Sequence, residues 1–155
     1  MATMLVVGCA KPPEGPPSTI DVSIGERTFT LEVALDKPSR TKGLSGRDHI
    51  AAPGGMLFAF RAPQRLSFWM KGCLVPIDII FLDGQGHVIN VHRMKPPPPG
   101  TVDRDLKAYL SEVGRGSPVP AQFAIELAGG TLDTLDVRPG ERIELPLERL
   151  KRWVR

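Results

Sequence analysis

The chain is poor in cysteine and aromatic residues, nearly balanced in charge and without a long apolar run. Its two cysteines, Cys9 and Cys73, allow at most one internal bridge, which excludes a disulfide scaffold. No apolar stretch reaches the roughly 18–20 residues that cross a bilayer as a helix. Lys and Arg number 20 against 17 Asp and Glu, a net charge of +3. A nucleic-acid surface gathers its bases on one face with aromatics between them. Here only Arg149, Lys151, Arg152 and Arg155 bunch together, so nucleic acid is not an expected partner. Nucleophile elbow, phosphate loop and zinc-protease helix motifs are all missing. What the chain does hold is 16 Gly and 16 Pro in 155 residues. Both punctuate regular structure, so short strands and turns are favoured over long helices. The length fits one domain, and an apolar fraction of 41% is enough to fill a core.

The first residues read MATMLVVGC. Val6-Val7-Gly8-Cys9 resembles the lipobox of bacterial lipoproteins, in which small apolar residues precede a cysteine that cleavage of the preceding bond makes the lipidated first residue. That resemblance implies a lipid on Cys9, with Pro12–Pro17 as an extended tether. It also implies an address on the periplasmic side of the cell envelope, or a periplasmic or secreted protein if Cys9 stays unmodified. No Lys or Arg precedes Cys9, so an unmodified terminus stays open as the alternative. The expected organisation is a leader and tether over 1–19, a β-rich domain over 20–146 and a basic tail over 147–155.

Period-two alternation predicts strands at Ile20–Ile24 and Thr28–Leu35, joined by a turn at Gly25-Glu26. Asp36 and Pro38 are the cap and first-turn proline of a short helix running to about Gly43. Met56–Phe60 and Ser67–Lys71 read as strands. Ile77–Leu82 is apolar at every position except Asp78, the pattern of a strand buried on both faces. Asp83-Gly84-Gln85-Gly86 is a tight turn leading into a return strand, His87–His92. Further strands are expected at Gln122–Leu127 and Glu141–Leu145, with a short turn or helix at Leu132–Val137. Leu147, Leu150 and Val154 recur at helical spacing. The predicted fold class is mainly β: a single compact β-sandwich or partly closed barrel with one or two short helices.

Four segments carry a resemblance. They are Arg40-x-x-Gly43-Leu44-x-x-Arg47, Gly55-Met56-Leu57-Phe58, the run from Phe68 through Pro76 to Asp83, and the Glu126–Gly129 element. In that order they resemble the DUF192 family over about residues 20–145. The resemblance implies a single β-rich, sandwich-like domain, often exported, and brings no established activity. Family members commonly have Met in place of Ser45, and Asn-Cys or Asn-Thr in place of Gly72-Cys73.

The candidate binding residues are Arg47, Trp69, Met70, Lys71, Cys73, Asp78 and Glu126. Asp78 interrupts an apolar strand, and a buried carboxylate is costly unless paired. It is either a functional acid or half of an internal ion pair with Arg47, Arg40 or Lys71. Trp69 and Met70 are adjacent, so one should pack in the core while the other faces a cleft. Met70, His92 and Met94 are soft donors in a spacing resembling part of a periplasmic copper-chaperone motif, whose upstream ligand pair is missing. Cys73 could be a nucleophile with His87 or His92 as base and Asp78 or Glu126 as third member; equally, it is a small buried hydrophobe.

These features favour a non-enzymatic, lipid-anchored envelope module that binds a small ligand, glycan or envelope protein, with no cofactor. The alternatives are a soft-metal (copper) carrier and a hydrolase or transferase using Cys73 or Asp78.

Overall fold

A computed structural model describes residues 15–101, 105, 108–109 and 115–155. The lipobox-like Val6–Cys9, and with it the expected lipid site, lies outside the described residues. Eight strands are described. They are β1 (Thr19–Ile24), β2 (Arg27–Ala34), β3 (Gly54–Gln64), β4 (Ser67–Phe68), β5 (Ile77–Leu82), β6 (Val88–Met94), β7 (Arg115–Gly116) and β8 (Ala121–Ala128). Two fully described helices, α1 (Lys37–Lys42) and α2 (Leu147–Trp153), and a 3-10 turn at Thr131–Asp133 accompany them.

β1 and β2 form an antiparallel hairpin in which Ile24 faces Arg27, and Gly25 takes the positive φ of 58° that so tight a turn requires. α1 then starts where the sequence places it. The Ser39 N–H donates to Asp36 Oδ1 at 2.8 Å, and the Asp36 N–H donates to Ser39 Oγ at 3.2 Å. This reciprocal pair is a capping box. It matters because β2 and β3 are parallel neighbours, and parallel strands need a crossover. α1 lies in that crossover.

The expected mainly β class with short helices is what the chain adopts. Its form is a six-stranded mixed sheet in the order β1-β2-β3-β8-β5-β6, with β4 and β7 paired in a second, small sheet. Among the described residues the large sheet stays open and does not close into a barrel. Every residue of β5 is buried, as are Ala121–Leu127 of β8, so both faces of the sheet are covered.

Alternation divides the interior in two. Ile80 and Leu82 of β5 join Phe123, Ile125 and Leu127 of β8 in a first core. Ile77, Ile79 and Phe81 turn the other way, with Phe58, Leu66, Met70 and Met94, into a second. The first core is closed by Leu132, Leu135, Ile143 and Leu145, and by Leu150 and Val154 of the C-terminal segment. The basic residues of that segment stay on its outside, and its apolar stripe packs inward.

Two expected strands differ. Glu141–Leu145 makes one isolated bridge, Arg142 with His87, because it spends its length inserting Ile143 and Leu145 into the first core. Ser67–Lys71 shortens to Ser67–Phe68, because the chain turns there: the Cys73 N–H donates to the Met70 carbonyl at 3.1 Å.

Candidate functional site

A cleft opens beside the second core. α1 and the turn after it, as far as Ser45, form one wall. Gln64–Trp69 forms the other, and Phe58, Phe60, Cys73 and Glu126 line the interior. The cavity holds about 420 Å³, within the range of roughly 300–1,000 Å³ common for small-molecule sites.

Glu126 is the unusual group. It lies midway along β8, flanked by Met56 of β3 and Ile79 of β5. Its neighbours Ile125 and Leu127 point into the first core, so alternation turns Glu126 to the opposite face. The residue is only 5% exposed. Among the described residues no hydrogen bond or ion pair reaches its carboxyl, and burial pushes it up to about 8. At neutral pH it is therefore mostly the uncharged acid, an O–H donor without a protein acceptor. The chain passes close above it at Gly43, where a Cβ would stand 3.5 Å from the Phe58 ring and 3.7 Å from Glu126 Oε2.

The interior is aromatic, and the walls are mixed, with Thr41, Ser45, Gln64 and Ser67 beside Leu44, Leu66 and Phe68. Phe58 and Phe68 meet edge to face at 4.9 Å, and Phe68 meets Phe81 at 5.6 Å. Arg40 is occupied by the fold. Its guanidinium donates to the carbonyls of Ala59 at 3.0 Å and Arg155 at 3.2 Å, and lies 5.0 Å from the Phe60 ring centre. Lys37, Lys42 and Arg65 line the cleft from exposed positions. Four bases thus share the lining with Glu126, its only acid among the described residues. The lining carries more positive than negative charge, while burial alone sets the state of Glu126.

Trp69, Cys73 and Glu126 of the expected set come together here. Trp69 is 58% exposed at the rim, whereas its neighbour Met70 is wholly buried. The Cys73 thiol is buried, and its pKa is raised by burial and by Glu126, against a hydrogen bond with Ser45. It is held as a thiol and is a poor nucleophile in this state. Ser45 also donates to the Lys71 carbonyl at 3.0 Å. Ser45, where family members commonly have Met, lines the cleft beside Cys73, which follows the departure at Gly72.

The other candidates lie elsewhere. Arg47 makes a two-pronged pair with Glu32, one arm at 2.8 Å. Lys71 is exposed outside the cleft lining. Asp78 points to the first core, where it accepts from the Leu132 N–H at 2.7 Å. Its expected partner among Arg47, Arg40 and Lys71 is thus replaced by a backbone donor, because the 3-10 turn is what packs against that face. Burial raises the Asp78 pKa, opposed by the Leu132 N–H and by Arg93. Asp78 and Cys73 stand on opposite sides of the sheet, so they do not form one catalytic set.

His92 packs edge to face on Phe81, with Nε2 at 2.7 Å from Asn90 Nδ2 and 3.4 Å from the Gly116 carbonyl. Burial lowers its pKa. Met70 and Met94 are packed in the second core. Among the described residues no three His, Cys, Asp or Glu gather as a metal set.

Sequence reasoning did not single out Lys37, Lys42, Arg65, Phe58 or Phe60 for the site. The basic run Lys37–Lys42 beside Gly43 was the available signal, but which face α1 presents depends on the β2–β3 crossover.

A family model, DUF192 (uncharacterized ACR), matches residues 20–145. A crystal structure of a candidate transcription regulator from Sinorhizobium meliloti 1021 is similar, at 29% identity and a TM-score of 0.65. The match covers 84% of this chain and 97% of that one. A protein of unknown function from Novosphingobium aromaticivorans DSM 12444 aligns at 23% identity with a TM-score of 0.66, covering 94% and 100% of the two chains. No curated protein matches the chain.

Proposed function

The chain belongs to the DUF192 family, and from that premise we propose that it is a non-enzymatic binding module whose cleft takes a small organic ligand. The observation that carries this reading is Glu126: a buried acid without a protein partner, lining a cleft of ligand size. A carboxyl this strongly desolvated is costly to keep in an apolar strand, so its retention needs a reason. A ligand atom that accepts its proton supplies one. Cys73 shares the cleft, but burial and Glu126 both favour its thiol form, which speaks for binding over nucleophilic catalysis. A glycan or a protein side chain entering the cleft would meet the same groups, with Trp69 at the rim as a stacking surface.

The same proposal includes the address. Val6–Cys9 supports export and lipid attachment at Cys9, with the domain held on the periplasmic side of the envelope. Mass spectrometry of the mature N-terminus tests it: a diacylglyceryl-modified Cys9 is expected, and a chain beginning at Met1 would remove the anchor.

A thermal-shift screen of chemically diverse small molecules tests the binding reading. Ligands that raise the melting midpoint of the wild type should lose that effect in Trp69→Ala. If no compound stabilises the protein, or if hits ignore changes in the cleft, the reading fails.

A further inference from the structure

We infer that the cleft selects an amphipathic organic anion: a negative head at Lys42 and Arg65, a planar apolar body over Phe58 and Phe68, and a neutral hydrogen-bond acceptor at its inner end facing Glu126. This inference rests on the binding reading above and assigns the chemistry of its ligand.

The sign of the charge follows from the lining. Lys42 and Arg65 are exposed lining residues on the two walls, and Arg65 keeps donors beyond the one it gives the Pro118 carbonyl at 2.6 Å, so a head group between them keeps part of its hydration while meeting positive charge. An ammonium in the same place would face like charge. The interior offers the ring edges of Phe58, Phe60 and Phe68, which reward a flat apolar body, with Thr41, Ser45, Gln64 and Ser67 also in the lining. The inner end is set by Glu126. As a neutral acid it donates one O–H, and among the described residues nothing accepts it. A ketone, ester or amide oxygen fits that donor.

A pH dependence follows. The charged or titratable groups that share the cleft with Glu126 are Lys37, Arg40 and Lys42 from α1, Arg65 from the stretch between β3 and β4, and Cys73 from the turn after Met70; of these only Cys73 is electrostatically linked to it, and burial sets the pKa of Glu126. The flanking strand residues, Met56 and Ile79, carry no charge, and Asp78 faces the other core. Glu126 ionises near pH 8, and the ionised form cannot donate. Binding of an acceptor-bearing ligand should therefore be strongest below that pH and weaken as pH rises through it.

Calorimetric titration of the full chain with 6-acetyl-2-naphthoate tests the assignment. The comparison probes are 2-naphthoate, which lacks the acceptor, and 6-acetyl-2-naphthylmethylamine, which reverses the charge. The acetyl carboxylate should bind about three- to tenfold more tightly than 2-naphthoate, the range of one hydrogen bond. The amine should be the weakest of the three. Lys42→Ala and Arg65→Ala should each weaken both carboxylates. Raising the pH from 7 to 9 should weaken wild-type binding of the acetyl carboxylate about tenfold. Glu126→Gln, whose amide still donates, should bind at both values without that loss.

Equal or tighter binding of the amine would overturn the charge assignment. A wild type with no preference for the acetyl group, or with no pH dependence, would overturn the role of Glu126. If the screen finds ligands sensitive to Trp69→Ala but none of the naphthyl carboxylates binds, the ligand class is wrong and the binding reading stands. If neither experiment finds a cleft ligand, both fall.

Discussion

Replacing Glu126 with glutamine should make the protein more stable, and the gain should grow with pH. The carboxyl ionises near 4.5 in the unfolded chain and near 8 in the folded one. Between those values the folded state keeps a proton that the unfolded state has released. The native carboxyl therefore contributes fully below pH 4.5, and stability falls as pH rises toward 8. Each unit of pH is worth about 1.36 kcal/mol. At pH 7 the folded protein has lost about 3 kcal/mol relative to low pH, and above pH 8 the loss levels off at about 5 kcal/mol. Glutamine has nearly the same shape and does not titrate. Any cost of its own amide is independent of pH and shifts the whole curve without tilting it. Urea unfolding of both proteins at intervals from pH 5 to 8.5 isolates the effect as a difference. Cys73, raised further by burial, stays a thiol in the folded state through this range. A difference that does not change between pH 5 and 8 would refute the reasoning, because it would mean that Glu126 is ionised in the fold.

Other residues give separate tests. Asp78→Ala should cost about 1–3 kcal/mol by leaving the Leu132 N–H without its acceptor, while Asp78→Asn should cost less; chemical denaturation measures both, and neither should alter probe binding in the cleft. Arg47→Ala breaks a half-exposed pair with Glu32, so its unfolding free energy should change by about 1 kcal/mol or less, again with binding intact. Gly129→Ala should destabilise by about 1–3 kcal/mol, because the new Cβ would stand 2.4 Å from the Pro76 Cβ and 2.8 Å from its carbonyl carbon. Cys73 should react with an aromatic disulfide reagent far more slowly in the folded protein than after denaturation, since its thiol is buried and protonated.

Much of the fold was legible because its signals are local. Ile77–Leu82 reads as a fully buried strand from composition alone, and the chain uses it as one. Asp36-Lys37-Pro38-Ser39 carries the cap of α1 within four residues. The failures are non-local. Glu141–Leu145 has the alternation of a strand, yet it covers the first core instead of pairing along its length. No short-range pattern distinguishes those two uses of apolar residues. The parallel pairing of β2 with β3 was equally hidden, and it decides which wall α1 supplies. Hence the bases of α1 escaped notice as site residues, although Arg40 and Gly43 stood in a family element.

The candidate acids show the same limit. Asp78 and Glu126 each interrupt an apolar strand, so sequence gives them equal standing. Structure separates them by face: Asp78 meets a backbone N–H at 2.7 Å, and Glu126 meets a cleft. Trp69 and Met70 were separable earlier, because adjacency alone sends one inward and one outward. The first of these acids is engaged within the fold, and the second lines the cleft without a protein partner among the described residues.

The ionisation of Glu126, followed with and without an anionic ligand, tests the cleft most directly. Carbon-13 NMR of the glutamate side-chain carboxyls, assigned through Glu126→Gln, follows that titration in the intact chain. A midpoint near 8 is expected for the free protein, rising further when 6-acetyl-2-naphthoate saturates the cleft, because the ligand needs the proton in place. A midpoint near 4.5, or one unmoved by bound carboxylate, would contradict the claim that this buried acid is the cleft's hydrogen-bond donor.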